Sequence, residues 1–199
     1  MNQLVTKQNF LSVISKIAYF LSGAIVVLLI YFALSLRNKP VEPNPIRRKS
    51  PIAIAQTNIN DTYIKIVYGQ PYKRGRRVFG GLVDYNKIWR TGANETTELT
   101  TTGDILINGE KLKAGTYSIF TKPRADKWII ILNDSLGQWG AFTYNRADDV
   151  LRTSVPVQST KQPVEAFTIQ FNDPESGETA IQMAWDTVKV VVPVSVINN

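Results

Sequence analysis

The chain is 199 residues long, enough for one globular domain and an appendage, and it contains neither cysteine nor histidine. Disulfides, thiolate zinc sites, catalytic cysteines, Ser-His-Asp triads and histidine acid–base chemistry are therefore excluded. The net charge of +7 is concentrated at one end: residues 1–50 hold seven Lys or Arg against one acid, while residues 51–199 are close to neutral with sixteen against fifteen.

Residues 1–16 form a short N-terminal segment carrying Lys7 and Lys16. Ile17 to Leu36 is a run of twenty residues without a charge. At about 1.5 Å per residue it would span roughly 30 Å as a helix, the thickness of a bilayer core. Tyr19 and Tyr31 fall near its ends, where amphipathic rings favour the headgroup region. The run is longer than the roughly 7–15 apolar residues of a cleaved signal peptide. The expectation is an uncleaved, single-pass transmembrane helix with the lipid bilayer as partner, its basic flanks suiting anionic headgroups. The excess of Lys and Arg after the run argues for a cytoplasmic C-terminal domain. A short segment ahead of a long domain argues for export.

Residues 37–50 contain Pro40, Pro43 and Pro45 among basic residues, with no apolar periodicity, and read as a stiff linker. The domain is expected over 51–199, and its pattern is period two. Ile64, Ile66 and Tyr68 alternate with Lys65 and Val67; Phe167, Ile169 and Phe171 alternate with Thr168 and Gln170. Val188, Val190, Val192, Val194 and Val196 line one face of the last segment. Such alternation marks strands with one buried face. Pro193 within that segment points to an edge strand.

Asn108-Gly109 between Ile105-Leu106-Ile107 and Lys111-Leu112 predicts a two-residue type I′ hairpin. Further strands are expected over 116–121, 127–133 and 139–144, with one helical turn near Arg146 to Asp149. About ten short strands at this spacing predict an all-β fold, an antiparallel β-sandwich or jelly-roll-like domain.

Several segments together carry a resemblance. They are Tyr68-Gly69-Gln70-Pro71, Lys73-Arg74-Gly75-Arg76, Val78 through Val83, Trp89 through Thr96, Ala114 through Ser118, Trp128 with Ile131-Leu132-Asn133, and Trp139-Gly140-Ala141 with Tyr144. In these the chain resembles a bacterial family known as domain of unknown function 2911, over about residues 50–194. Asp84 stands where that family often has proline. The resemblance implies export, and hence a periplasmic or otherwise extracytoplasmic domain. It carries no catalytic residues to this chain.

The candidate ligand-binding residues are Trp89, Arg90, Asn94 and Glu95, with Arg76. A guanidinium, an amide and a carboxylate beside an indole suit a sugar or small anion. The structural alternative is that Arg90 pairs with Glu95 or Asp149 while Trp89 lies in the core. Lys73, Arg74, Arg76 and Arg77 form either an anion-binding cluster or a solvated hairpin tip. Without interleaved stacking residues, nucleic acid is not an expected partner.

Asp148 with Asp149, and Glu95 with Glu98, are the carboxylate pairs available for glycosidase-like chemistry. The acids around Gly177 do not fit an EF-hand, and no nucleophile elbow, P-loop or dinucleotide fingerprint is present. No metal site or cofactor is expected, and the catalytic residues are unknown. Two readings stand. One is a non-enzymatic binding module for a glycan, small molecule or envelope protein; the other is a carboxylate-dependent hydrolase acting on cell-envelope material.

Overall fold

The computed structural model describes residues 21–31 and 48–197. The chain divides into two compact units, Met1–Asn44 and Pro45–Asn199. In the first, residues 21–31 are helical with exposed side chains. That helix extends roughly 16 Å. Among the described residues no helix is long and apolar enough to cross a membrane. The predicted span of 17–36 is thus seen only in its middle, and its remainder lies outside the described residues.

In the second unit the alternating runs become nine strands: β1 (Ile52–Ile59), β2 (Thr62–Gly69), β3 (Thr97–Thr101), β4 (Ile105–Ile107), β5 (Glu110–Leu112), β6 (Gly115–Pro123), β7 (Lys127–Asn133), β8 (Asp149–Phe171) and β9 (Glu178–Val196). They form one antiparallel sheet in the order β1-β2-β3-β6-β7-β8-β9-β4-β5. The all-β, antiparallel expectation holds, but the strands are hydrogen-bonded into one sheet. The element that joins them is β8. Its first part pairs with β7 from Asp149 to Pro156, and its second pairs with β9 from Val157 to Phe171.

Two strands are much longer than expected, at 23 residues for β8 and 19 for β9. Register shifts explain how so long a ribbon survives. One falls at Leu132/Asn133 opposite Leu151 and Asp149, and two more lie between Ser159 and Thr168. Unpaired residues bulge out there and bend the strand instead of ending it. Because of that bend, the far half of β8 packs on the face of β2. Tyr68 and Phe167 meet edge to face at 5.8 Å, and the Tyr68 hydroxyl accepts from the Ile169 N–H at 3.1 Å.

Between these faces lies one apolar core. Its centre is aromatic: Phe79, Trp89, Trp128, Phe167 and Trp185 meet with centroids 5.0–6.4 Å apart. Ile64, Ile66, Phe167, Ile169, Val190, Val192 and Val194 are buried in it, as their alternation predicts.

The Asn108-Gly109 hairpin forms as expected, with Ile107 opposite Glu110 and φ of 50° and 84° at the two turn residues. The Asn108 amide also donates to Thr153 Oγ1 at 2.7 Å. A 3-10 turn covers Arg146–Asp148, capped by the Asn145 side chain.

Two expectations fail. The edge strand inferred from Pro193 is interior, since β9 lies between β8 and β4. Proline is tolerated because the β8 ladder has ended at Val190 and the β4 ladder begins at Val194. The Pro193 carbonyl still accepts from Asn108 N–H. Residues 139–144 are also not a strand. The chain turns at Gly137 and Gly140, leaving only the bridge between Trp139 and Glu95.

Candidate functional site

The segment from Trp89 to Glu95 is a loop held on three sides. Trp89 exchanges two backbone hydrogen bonds with Thr121 of β6, at 2.8 and 2.9 Å. Ala93 N–H donates to Gly69 at the end of β2, at 3.0 Å. Thr96 bonds to the opposite loop through its N–H to Gln138 and its hydroxyl to Gly140, each at 2.9 Å. Gly69 is required for this contact, since a Cβ there would lie 2.0 Å from the Ala93 carbonyl oxygen.

Within the loop, Thr91 and Asn94 adopt positive φ, 57° and 65°. For a β-branched, fully buried threonine that is a strained conformation, and it persists only where the surroundings impose it. They do so here. The Thr97 hydroxyl donates to Thr91 O at 2.7 Å, Thr91 Oγ1 donates to Thr121 Oγ1 at 3.2 Å, and Thr97 N–H donates to Arg90 O at 3.2 Å. These bonds tie down the backbone at Arg90 and Thr91.

Trp89 is core, with 8% of its surface exposed. Its indole stacks on Trp185 at 6.1 Å and 19°, and its N–H donates to Gly92 O. The ring face expected to stack on a sugar is therefore covered.

Arg90 departs from both pairings expected of it. Among the described residues it forms no ion pair, and its Nε is buried with no hydrogen-bond partner. Burial pushes its pKa below the usual guanidinium value, only partly opposed by the charge of Glu95. Glu95 itself is bonded to Arg48 Nη2. Burial raises the Glu95 pKa, but the Arg48 hydrogen bond, a backbone hydrogen bond and the charges of Arg48 and Arg90 together hold it below the ordinary carboxylate value. Asp149 is committed elsewhere, to Arg152, Tyr144 and Asn133.

Four of the five candidate residues line one cleft. Arg76, Trp89, Arg90 and Asn94 meet there, with Ser50 and Trp185, around a volume of about 280 Å³. The fifth, Glu95, lines a different cleft of about 250 Å³ together with Glu98, Tyr68 and Gln138. Ser50 and Trp185 were missed as site residues. Ser50 follows the basic run of the linker, and Trp185 sits among residues whose pattern signals a buried strand.

The basic cluster does not converge on an anion. Lys73 pairs with Asp186, Arg74 donates to Lys49 O, and Arg77 donates to Phe79 O. Arg76 donates to Lys73 O and Tyr72 O while lining the cleft. Glu175 and Glu178 flank a two-residue turn at Ser176-Gly177. Among the described residues no group of acids could hold a metal ion.

No curated protein and no solved structure matches this chain. Residues 50–194 match the family described as protein of unknown function (DUF2911). The match spans the loop, the cleft and all but the last two residues of the strands just described, and the chain is a member of that family.

Proposed function

We propose that this protein is a membrane-anchored, envelope-facing β-sandwich whose activity is binding, with its ligand seated in the cleft lined by Arg76, Arg90 and Asn94. The observation that carries this reading is Arg90. A half-buried guanidinium with an unmet Nε, on a loop whose strained backbone is pinned by hydrogen bonds, is a costly arrangement for stability alone. It is what a preorganised site requires. The partners that suit the cleft are a glycan, a small molecule or a group presented by an envelope protein. The near-neutral domain gives no electrostatic footprint for nucleic acid.

Anchoring and location rest on the uncharged run from Ile17 to Leu36 and on the exported look of the family. Alkaline phosphatase fused after Asn199 should be active. An inactive fusion, with a cytoplasm-only fluorescent reporter lit at the same point, would reverse the orientation. For the cleft, small molecules released from envelope fractions should bind the parent and lose binding in Arg90→Met, which should melt no lower than the parent. Equal binding by both proteins would move the site elsewhere.

The hydrolase reading has one observation in its favour, the shared position of Glu95 and Glu98 on the second cleft. Against it, a glycosidase-type acid needs a raised pKa. The Arg48 hydrogen bond instead helps to hold Glu95 below the ordinary carboxylate value. Turnover of envelope glycans that Glu98→Gln abolishes would restore this reading.

A further inference from the structure

We infer that the Arg90 cleft selects its ligand through an oxyanion group, a carboxylate or a phosphate, carried on a molecule no larger than about one sugar ring. This inference rests on the cleft being a binding site, as proposed above, and adds the chemistry of what enters.

Charge comes first. The residues lining the cleft include two arginines, Arg76 and Arg90, and no carboxylate. The acid whose charge acts on Arg90 is Glu95, and its carboxylate is engaged by Arg48 and lines the other cleft. A neutral ligand would leave the Arg90 cation as uncompensated as it is in the free protein. An oxyanion would supply the missing acceptor, and bonds from guanidinium to an ionised oxygen are shorter and stronger than neutral ones.

Geometry is the second support. The Trp89 and Trp185 rings stack on each other, so recognition by ring stacking is closed off and polar recognition remains. Arg76 is fixed through Nε and Nη2 to the carbonyls of Lys73 and Tyr72, which sets its position at the cleft without neutralising its charge. Asn94 contributes an amide that can donate to the same oxyanion or to a neighbouring hydroxyl.

Size sets the upper limit. At about 280 Å³ the cleft falls just under the range of pockets that hold drug-sized ligands. One ring bearing one anionic group fits that volume better than an oligosaccharide.

The test uses the full chain in non-ionic detergent, with tryptophan fluorescence as readout because Trp89 and Trp185 line the cleft. Three probes are titrated: glucuronate, glucose 6-phosphate and glucose. At least one anionic sugar is expected to bind tenfold or more tightly than glucose, and to weaken as salt rises. Which anionic sugar binds distinguishes a carboxylate from a phosphate. Arg90→Met should lose that tenfold preference, and Arg90→Lys, which keeps the charge but not the fork, should retain part of it. Arg76→Gln provides an independent variant at an exposed position and should also weaken anion binding. Glucose binding as well as either anion would overturn the inference and leave the cleft reading standing. Silence with all three probes would overturn both. An anion preference that survives Arg90→Met and Arg76→Gln would place the anion outside this cleft and overturn the inference.

Discussion

Arg48 donates through Nη2 to Glu95 Oε2, so the carboxylate whose charge acts on Arg90 is bonded to a different arginine. Only 12% of the Arg48 side chain is exposed, against 44% for Glu95. A residue from the basic run ahead of the domain is thus part of the domain's electrostatics. Arg90 is left as a cation with no ion-pair partner among the described residues, only partly compensated by the charge of Glu95.

The two arginines should respond to substitution in opposite directions. Arg90→Met removes a half-buried guanidinium whose Nε has no acceptor, while keeping much of its volume. Relief of an unmet donor favours the variant by about 1 kcal/mol, so it should melt at or above the parent temperature. Arg48→Met leaves Glu95 without its partner and should cost about 1 kcal/mol, the small size reflecting the exposure of Glu95. Thermal unfolding of both variants decides the matter. A strongly destabilised Arg90→Met would mean that its charge is compensated in the fold.

Trp89→Ala should cost roughly 3–5 kcal/mol. The indole contacts Phe79, Trp128, Phe167 and Trp185, so its loss opens a void where both faces of the folded sheet meet. Urea denaturation measures this directly. A loss under about 1 kcal/mol would place the ring at the periphery.

Replacing Asn108-Gly109 by Val-Val should lower stability by about 1 kcal/mol or more, because β-branched residues resist the positive φ at both positions. The variant also loses the bond from the Asn108 amide to Thr153, which ties the hairpin to β8. An unchanged melting temperature would show that this hairpin adds little to the fold.

The period-two pattern was enough to read the class of fold and the buried faces of β2, the end of β8 and the end of β9, and the Asn108-Gly109 pair marked the hairpin. The continuity of β8 was hidden. Thr160 to Pro163 were assigned to no strand by the alternation, whereas in the structure they lie within one strand, at a register shift with paired residues on both sides. The candidate loop was legible because glycine, arginine and tryptophan lie close together in sequence. Its pairing was not. Glu95 is five residues from Arg90 and forty-seven from Arg48, and nothing in the alternation indicates which arginine reaches it. The pair is set by where the folded chain brings Arg48, a long-range contact that residue spacing does not encode.

Acid should weaken the joint between β4 and the β5–β6 turn. Lys113 and the Ala114 N–H, with Lys111, hold the Asp104 carboxyl down at about 2, from an ordinary 3.8. A depressed pKa contributes stability that is present above the unfolded value and lost as pH falls through the folded one. The contribution should therefore fade between about pH 4 and pH 2. Asp104→Asn should be less stable than the parent at pH 7 and indistinguishable from it near pH 2. Parallel melting curves for the two proteins across that window would remove Asp104 from the acid response.

Residues 51–199 should fold alone into an almost helix-free domain, because every residue of the apolar core cluster lies within them. The described helical content of this stretch is the single 3-10 turn at Arg146–Asp148. Circular dichroism of the fragment should show a β spectrum with a cooperative melt. A fragment starting at Arg48 should be more stable than one starting at Pro51. It keeps the ion pair to Glu95 and the Lys49 carbonyl that accepts from Arg74, together worth on the order of 1 kcal/mol at these partly exposed positions. It also keeps Ser50 at the cleft. Identical melting of the two fragments would mean that Arg48 is held by Glu95 without stabilising it. A helical or unfolded spectrum for both would show that the sheet depends on residues before Arg48.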